Sequence, residues 1–454
     1  MTAHGPIAAI RARLERAPSW VFGAYAGLMT FGTYFCIYAF RKSFAAAHFA
    51  GLAPVLTVEY KVALVIAQVF GYALAKLIGV RVIAELPHGR RIAGIVVQSL
   101  IAEAALVLFA VIPAPWNIAA MFVDGLALGM IWGICFSFVE GRRQSDLIGA
   151  MLCASFVISS GVMKSVGTLV MAWHVAGEWW MPAITGAMFM PLLALCLFGL
   201  ATLPPPNAAD IAERVERVPM DAAARRALVR RFGPGLLALV LLYVLLTALR
   251  DFRDNFSAEI WAELGLGGKA ELFSLTELPI SVMVLGVLAT LTLIRDSNRA
   301  LVVNFALIAL GLALAAVSSA AFLAHWIGPI SWMTALGGGL YLAYTPFNGM
   351  LFDRLVAASG SVGNAGFLIY VADTGGYGGS VALLLLRNIP GLRLPWTQSL
   401  IDAGIACGTL GMALMIWAAI YFSRKLGRDS KPGGRDGGHY APQPSANPIA
   451  EPYL

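Results

Sequence analysis

The stretch YAFRKSF, Tyr38 to Phe44, closes an apolar run that begins at Ser19. That run is long enough to cross a bilayer, which takes about 20 predominantly apolar residues in a helix. The segment that follows, AAAHFAGLAPVL from Ala45 to Leu56, is again mostly apolar. Arg41 and Lys42 therefore stand side by side in a setting that disfavours both. A cation at the centre of a membrane helix costs about 2.5–3.5 kcal/mol on insertion scales, so it persists where it has a partner or a task.

The rest of the chain repeats the first run. Of 454 residues, 59% are hydrophobic and 13% charged, against about 25% charged in soluble domains. Such a surplus of apolar residues predicts an integral membrane protein. The first run follows Arg11, Arg13 and Arg16 and has no small-residue cleavage site behind it, so it is expected to stay as a helix and not to act as a signal peptide. The net charge of +7 comes from basic residues in short loops and tails. They read as topology signals, and no nucleic-acid partner is expected. Cys36, Cys135, Cys153, Cys196 and Cys407 lie scattered in apolar segments without CxxC spacing, so they are expected to pack as small core residues. No histidine lies deep in an apolar run, no loop reads GxxxxGK[ST], and neither DxD nor HxxxxD occurs. No metal, cofactor or catalytic residue is expected, and an enzyme or nucleotide-driven pump is disfavoured.

Measured against the length of a bilayer, the sequence predicts twelve spans near 18–42, 55–80, 92–112, 116–139, 147–172, 181–203, 233–256, 272–294, 299–322, 328–352, 362–387 and 400–423. The one long connection, 204–232, opens with three prolines and is rich in Asp, Glu and Arg. It divides the spans into an N-terminal six-helix bundle, 18–203, and a C-terminal one, 233–423. A segment 1–17 precedes them, and the Gly, Pro and Ser-rich tail 424–454 is expected to be disordered. With the N-terminus in the cytoplasm, Arg90, Arg91, Arg142, Arg143, the arginines of the central loop, Arg299, Arg354 and the basic tail all fall on one side. The positive-inside rule then places both termini in the cytoplasm, and the membrane is expected to be a bacterial inner membrane.

The two bundles carry a faint repeat. The first span reads YFCIYAFRKSF from Tyr34, and the seventh reads YVLLTALRDFR from Tyr243. In each, Tyr precedes Arg by seven positions, with the second copy 209 residues after the first. Two six-helix halves related by pseudo-symmetry, with a site between them near the midplane, form a transporter architecture. Polar residues at helical spacing mark the faces turned inward. These are Tyr34, Tyr38 and Arg41 on the first span, Tyr243, Thr247, Arg250 and Asp254 on the seventh, Tyr341, Tyr344, Thr345 and Asn348 on the tenth, and Tyr370, Asp373 and Tyr377 on the eleventh. Lys76 and Lys164 lie within the second and fifth spans, and Arg253 beside the seventh-span stripe. Simpler readings exist for several: Arg41 and Lys42 could snorkel outward, and Asp251 and Asp254 could hold Arg250 and Arg253 in a structural cluster. Gly337–Gly339 and Gly375–Gly379 read as close-packing or hinge positions.

These motifs resemble the major facilitator superfamily, and within it the organophosphate:phosphate antiporters such as the glycerol-3-phosphate transporter. Tyr38-Ala39-Phe40-Arg41-Lys42-Ser43-Phe44-Ala45 is similar to that family's YxxRKNFA. Leu249-Arg250-Asp251-Phe252 with Trp261 is similar to LRYGxxDW, Gly71–Gly79 with Lys76 to GxSKFxxG, and Gly376–Ala382 to GYLGGSVA. The family's histidine in the fifth span has no counterpart at Ile158-Ser159-Ser160. The turn after the second span is degraded to Glu85-Leu86-Pro87-His88-Gly89-Arg90-Arg91, and Ser43 replaces an Asn. The resemblance implies a monomeric major facilitator fold in which Arg41 and Arg250 clamp a small anionic solute, with Lys76 nearby. Tyr34, Tyr38, Tyr344, Asn348 and Tyr370 complete the expected solute-binding set. Inorganic phosphate or a proton is the expected counter-ion, with Asp254 or Asp373 as a proton carrier and Lys164 and Arg253 as salt-bridge partners. A proton-coupled carrier of muropeptides or amphiphiles, and a transporter-like solute sensor, are the alternatives.

Overall fold

A computed structural model describes residues 6–85, 87–139, 145–205, 222–294, 296–349, 351–359, 366–389 and 394–429. The parts of the predicted central loop and tail at 206–221 and 430–454 lie outside the described residues. The described chain is helical. The elements are α1 (Pro6–Arg16), α2 (Ser19–Lys42), α3 (Tyr60–Glu85), α4 (Arg91–Val111), α5 (Ile118–Leu128), α6 (Ile131–Ser137), α7 (Ser145–Ala172), α8 (Met181–Ala201), α9 (Ala222–Asn255), α10 (Ser257–Glu263), α11 (Glu271–Thr292), α12 (Ser297–Leu323), α13 (Pro329–Gly349), α14 (Leu351–Ala358), α15 (Gly366–Arg387) and α16 (Trp396–Asp429).

Among the described residues eleven helical segments are long and apolar enough to span a bilayer, with α5 and α6 together forming one of them. Helix α13, 21 residues long, packs between α11 and α12 and fills the remaining position of a twelve-span array. The sequence-predicted spans are reproduced with shifts that have local causes. The second span starts at Tyr60 because Leu56 and Thr57 adopt positive φ and a Val55–Val58 bridge forms a turn. The fourth breaks between α5 and α6 at Gly129 and Met130. Helix α9 begins eleven positions before the predicted 233, because AAARRALVRRF is built from strong helix formers. Helix α16 likewise continues past 424 to Asp429. The leading segment 1–17 contains α1, whose Arg11 donates to the carbonyl of Ala201 at the end of α8.

The packing shows the two-fold repeat that the sequence only hints at. In the first half α2 packs on α7 and α8, α4 on α5 and α8, and α3 on α5. In the second half α9 packs on α15 and α16, α12 on α13 and α16, and α11 on α13. Numbering the spans one to six in each half turns the first set of pairings into the second. The contacts between halves obey the same operation: α7 lies against α11, and α3 lies against α15. Close approaches need glycine. An added Cβ on Gly71 would sit 2.1 Å from the Phe122 carbonyl oxygen, and one on Gly125 would sit 2.0 Å from that of Gln68, so α3 and α5 touch backbone to backbone. The Gly337–Gly339 segment plays this part in the second half, where Gly339 meets Gly311 of α12.

Large apolar side chains such as Leu100 on α4, Leu195 on α8, Leu310 on α12 and Leu410 on α16 face outward, as they must toward lipid. Below, the near end of the array is the one where α2 starts, and the far end is the one where it stops. Trp116, Trp173, Trp180 and Trp326 are exposed at helix boundaries of the far end, the level at which aromatic rings meet headgroups. All five cysteines are buried and unpaired.

Candidate functional site

Arg41 and Lys42 leave α2 about 100° apart and so serve different neighbours. The Arg41 guanidinium lies 4.0 Å from the ring centre of Tyr72 on α3 and 5.6 Å from that of Tyr38. Lys42 is buried, with its Nζ 2.6 Å from Asp254 Oδ2 and 2.6 Å from Asn255 Oδ1, both on α9 of the other half. Neither side chain snorkels to the outer surface.

The sequence repeat has a structural echo here, with tyrosine partners that stand on non-equivalent spans, α3 in the first half and α13 in the second. In the first half the Tyr34 hydroxyl meets the Tyr72 hydroxyl at 3.5 Å, and Arg41 covers the Tyr72 ring. In the second half the Tyr243 hydroxyl meets the Tyr344 hydroxyl at 3.0 Å, and Arg250 covers the Tyr344 ring at 4.1 Å. Each half thus offers one guanidinium stacked on a tyrosine that is bonded to the tyrosine seven positions before the arginine. Helical side chains point back toward the helix N-terminus, which carries both guanidinium groups from the far ends of their helices toward mid-depth. Tyr38 lies within electrostatic reach of both.

Between the halves is a small cavity lined by Arg41, Lys42, Gln68, Val69, Tyr72, Asp251 and Asn255. It has room for about one water molecule. Asp251 holds Arg250 at 2.7 Å and accepts from Ser380 at 2.8 Å. Gln68 donates to the carbonyl of Arg41 at 3.1 Å and to Asp124 Oδ2 at 2.7 Å.

Ion pairs bridge the halves on both sides of the cavity. Toward the far end, Lys42 and Lys164 share Asp254, at 2.6 and 2.8 Å, and Ser160 also donates to that carboxylate. Beyond them Lys61 meets Glu259 at 2.5 Å and Arg387 meets Glu59 at 3.2 Å. Burial acts to raise the Glu259 carboxyl, but Lys61 and His48 outweigh it and hold Glu259 below the usual carboxylate range. Toward the near end, Lys76 Nζ is 2.7 Å from Asp373 Oδ2, while Tyr243 donates to the other oxygen at 2.5 Å.

Several sequence expectations meet this geometry differently. Arg250 does pair with Asp251, but Arg253 does not pair with Asp254. It turns to α11 and α13, donating to Glu277 at 2.7 Å and to the Met333 carbonyl at 3.0 Å. The two arginines, three positions apart on α9, share a side of the helix but stand about a turn apart along it, and each takes the carboxylate within its own reach. Lys76 is engaged with Asp373 and does not line the cavity. Tyr370 is half-buried, and among the described residues its hydroxyl bonds to no member of the site. The side chain of Asn348 lies outside the described residues. Lys42, Gln68, Tyr72 and Asp251 line the cavity but were not among the expected site residues. Gln68, Tyr72 and Lys76 stand at i, i+4 and i+8 on α3, so a polar stripe like those on the other inner helices was there to be found.

The structure resembles solved membrane transporters throughout. It matches a point mutant of the nucleoside transporter NupG with TM-score 0.55 and 12% identity over 88% of this chain and 99% of that one. A bacterial homologue of the human drug peptide transporters PepT1 and PepT2 matches with TM-score 0.56 and 13% identity, over 89% and 99%. A bacterial homologue of the human lysosomal transporter Spinster, inward-facing and unoccupied, matches with TM-score 0.57 and 12% identity, over 92% and 98%. The fold is the major facilitator fold. No curated protein matches the sequence. Residues 43–425 match a family of unknown function, DUF5690, and the chain belongs to that family.

Proposed function

We propose that the chain is a secondary carrier of a small organic anion, an organophosphate or a related compound, that works by alternating access and exchanges one anion for another. Arg41 carries this reading. Lys42, Lys61, Lys76, Lys164, Arg250, Arg253 and Arg387 each reach a carboxylate. Arg41 lines the cavity, and among the described residues its guanidinium touches no carboxylate. Stacking on tyrosine contributes about 2 kcal/mol when desolvated. Removing a cation from water costs several kcal/mol. The difference favours an anion that can take a forked pair of hydrogen bonds from Arg41.

A charge count supports a doubly charged anion. Arg41 has no carboxylate, and Lys42 and Lys164 share one. Two positive charges at the interface are therefore left over, matching a phosphate monoester near neutral pH. An arriving anion competes with Asp251 for Arg250 and so joins the two halves through their repeated arginines. Without it, rocking the halves carries an unbalanced guanidinium through a closed passage, which favours exchange over net flow. The nucleoside, peptide and Spinster-type transporters that share the fold support transport in general. In this reading the carrier works as a monomer in a bacterial inner membrane, with both termini in the cytoplasm and the far end facing outward.

The test uses the full chain in proteoliposomes, after a thermal-shift screen against organic anions and neutral solutes. Wild type should exchange internal for external labelled anion. Arg41→Lys and Arg250→Lys should each abolish this counterflow at normal expression, since lysine cannot reproduce the planar fork. Unimpaired counterflow in either variant overturns the clamp, and saturable binding without flux would make the protein a sensor.

A further inference from the structure

Asp124 is a fully buried carboxyl group in the middle of the first half. Its Oδ2 accepts from Gln68 Nε2 at 2.7 Å, while its Oδ1 is buried and has no partner among the described residues. The groups that act on it come from the three helices packed around α5. Helix α2 supplies Arg41, α4 supplies Glu103, and α3 supplies the neutral amide of Gln68. Arg41 is not in contact with it, and Glu103 also has a buried oxygen, Oε2, without a partner. The interface carboxylates of the second half all differ in this respect. Asp251, Asp254, Glu259, Glu277 and Asp373 each touch a cation.

An ionised carboxylate sealed in the interior without a cation is expensive. A proton on Oδ1 removes the charge and leaves Oδ2 free to accept from Gln68. The site is also tied to the cavity. Gln68 lines it, and both hydrogens of its amide nitrogen are used, one on Asp124 and one on the Arg41 carbonyl. Gln68 cannot drift from Asp124, because Gly71 and Gly125 hold α3 and α5 in backbone contact at this level.

We propose that Asp124 is a proton-binding site of the carrier, loaded on Oδ1 from water and unloaded again as Arg41 moves relative to the fixed Gln68–Asp124 pair. The step is a single proton transfer between water and one carboxyl oxygen, with no other bond made or broken. Its role in transport rests on the carrier reading above, whereas its protonation does not.

Two measurements test it. In the full-length protein in lipid nanodiscs, infrared spectroscopy should show the carbonyl stretch of a buried, protonated carboxyl that disappears at alkaline pH. The band should be missing in Asp124→Asn and kept in Glu103→Gln. If no such band exists at any pH, or if it vanishes with Glu103→Gln alone, the site is refuted. Should Asp124→Asn not fold, titration of wild type and Glu103→Gln still decides the matter. In proteoliposomes with inorganic phosphate as the probe, Asp124→Asn should keep phosphate–phosphate exchange. It should lose the accumulation that a pH gradient drives in wild type. Undiminished accumulation in the variant overturns the coupling. A wild type that exchanges no phosphate counts against the phosphate-carrier reading and leaves the infrared result standing on its own.

Discussion

Asp254→Asn is the perturbation whose consequences the structure specifies most fully. The carboxylate lies at the tip of α9 and receives Lys42 of α2 and Lys164 of α7, at 2.6 and 2.8 Å, from the opposite half. The side chains of Lys42, Lys164 and Asp254 are 7%, 1% and 10% exposed, so water screens none of them. Asparagine keeps the shape and removes the charge, leaving two ammonium groups facing each other in the closed far end. Removing one partner of a buried ion pair costs about 3–5 kcal/mol. Here the cost falls on the closed arrangement, since parting the halves lets water reach both lysines. Taking the lower figure, the ratio of closed to open forms drops by about 150-fold. Double electron–electron resonance between spin labels at Ala172→Cys and Ala324→Cys, at the far ends of α7 and α12, reads this directly. Wild type should give a short distance distribution, and Asp254→Asn should move most of the population to longer distances. The triple variant Lys42→Met, Asp254→Asn, Lys164→Met should restore the short distances, because apolar residues of similar size often replace a buried ionic cluster without loss. An unchanged distribution in Asp254→Asn would refute the view that this cluster latches the halves.

Two further outcomes follow from the same geometry. Because Glu259 is held below its usual range, its pair with Lys61 contributes closure above the ordinary glutamate value of about 4.3 and loses it as pH falls through the lowered value. Far-end distances should therefore lengthen on acidification, and Glu259→Gln should remove that response. Gly125→Ala would push a methyl group into the Gln68 carbonyl, where only 2.0 Å is available. Backbone cannot yield there as a flexible side chain can, so the thermal midpoint should fall well below that of Gly149→Ala, where an added Cβ meets only a ring atom at 3.5 Å.

Much of this protein is legible in one dimension. Span length needs only the cost of exposing polar backbone or charge to lipid, and that cost acts on each segment separately. The recurrence of Tyr and Arg seven positions apart could be read for the same reason, since helical periodicity alone puts both on one face. The partners of those charges could not be read. Whether Lys42 reaches Asp254, Arg253 chooses Glu277, or Lys76 spends its charge on Asp373 depends on which helices meet and at what depth, and these contacts join residues up to 297 positions apart. The standing of Arg41 as a cation without a carboxylate, and of Asp124 as a carboxyl without a cation, could be decided only in the folded molecule. Electrostatic pairing is settled by distances of a few ångströms between groups that the chain brings together last.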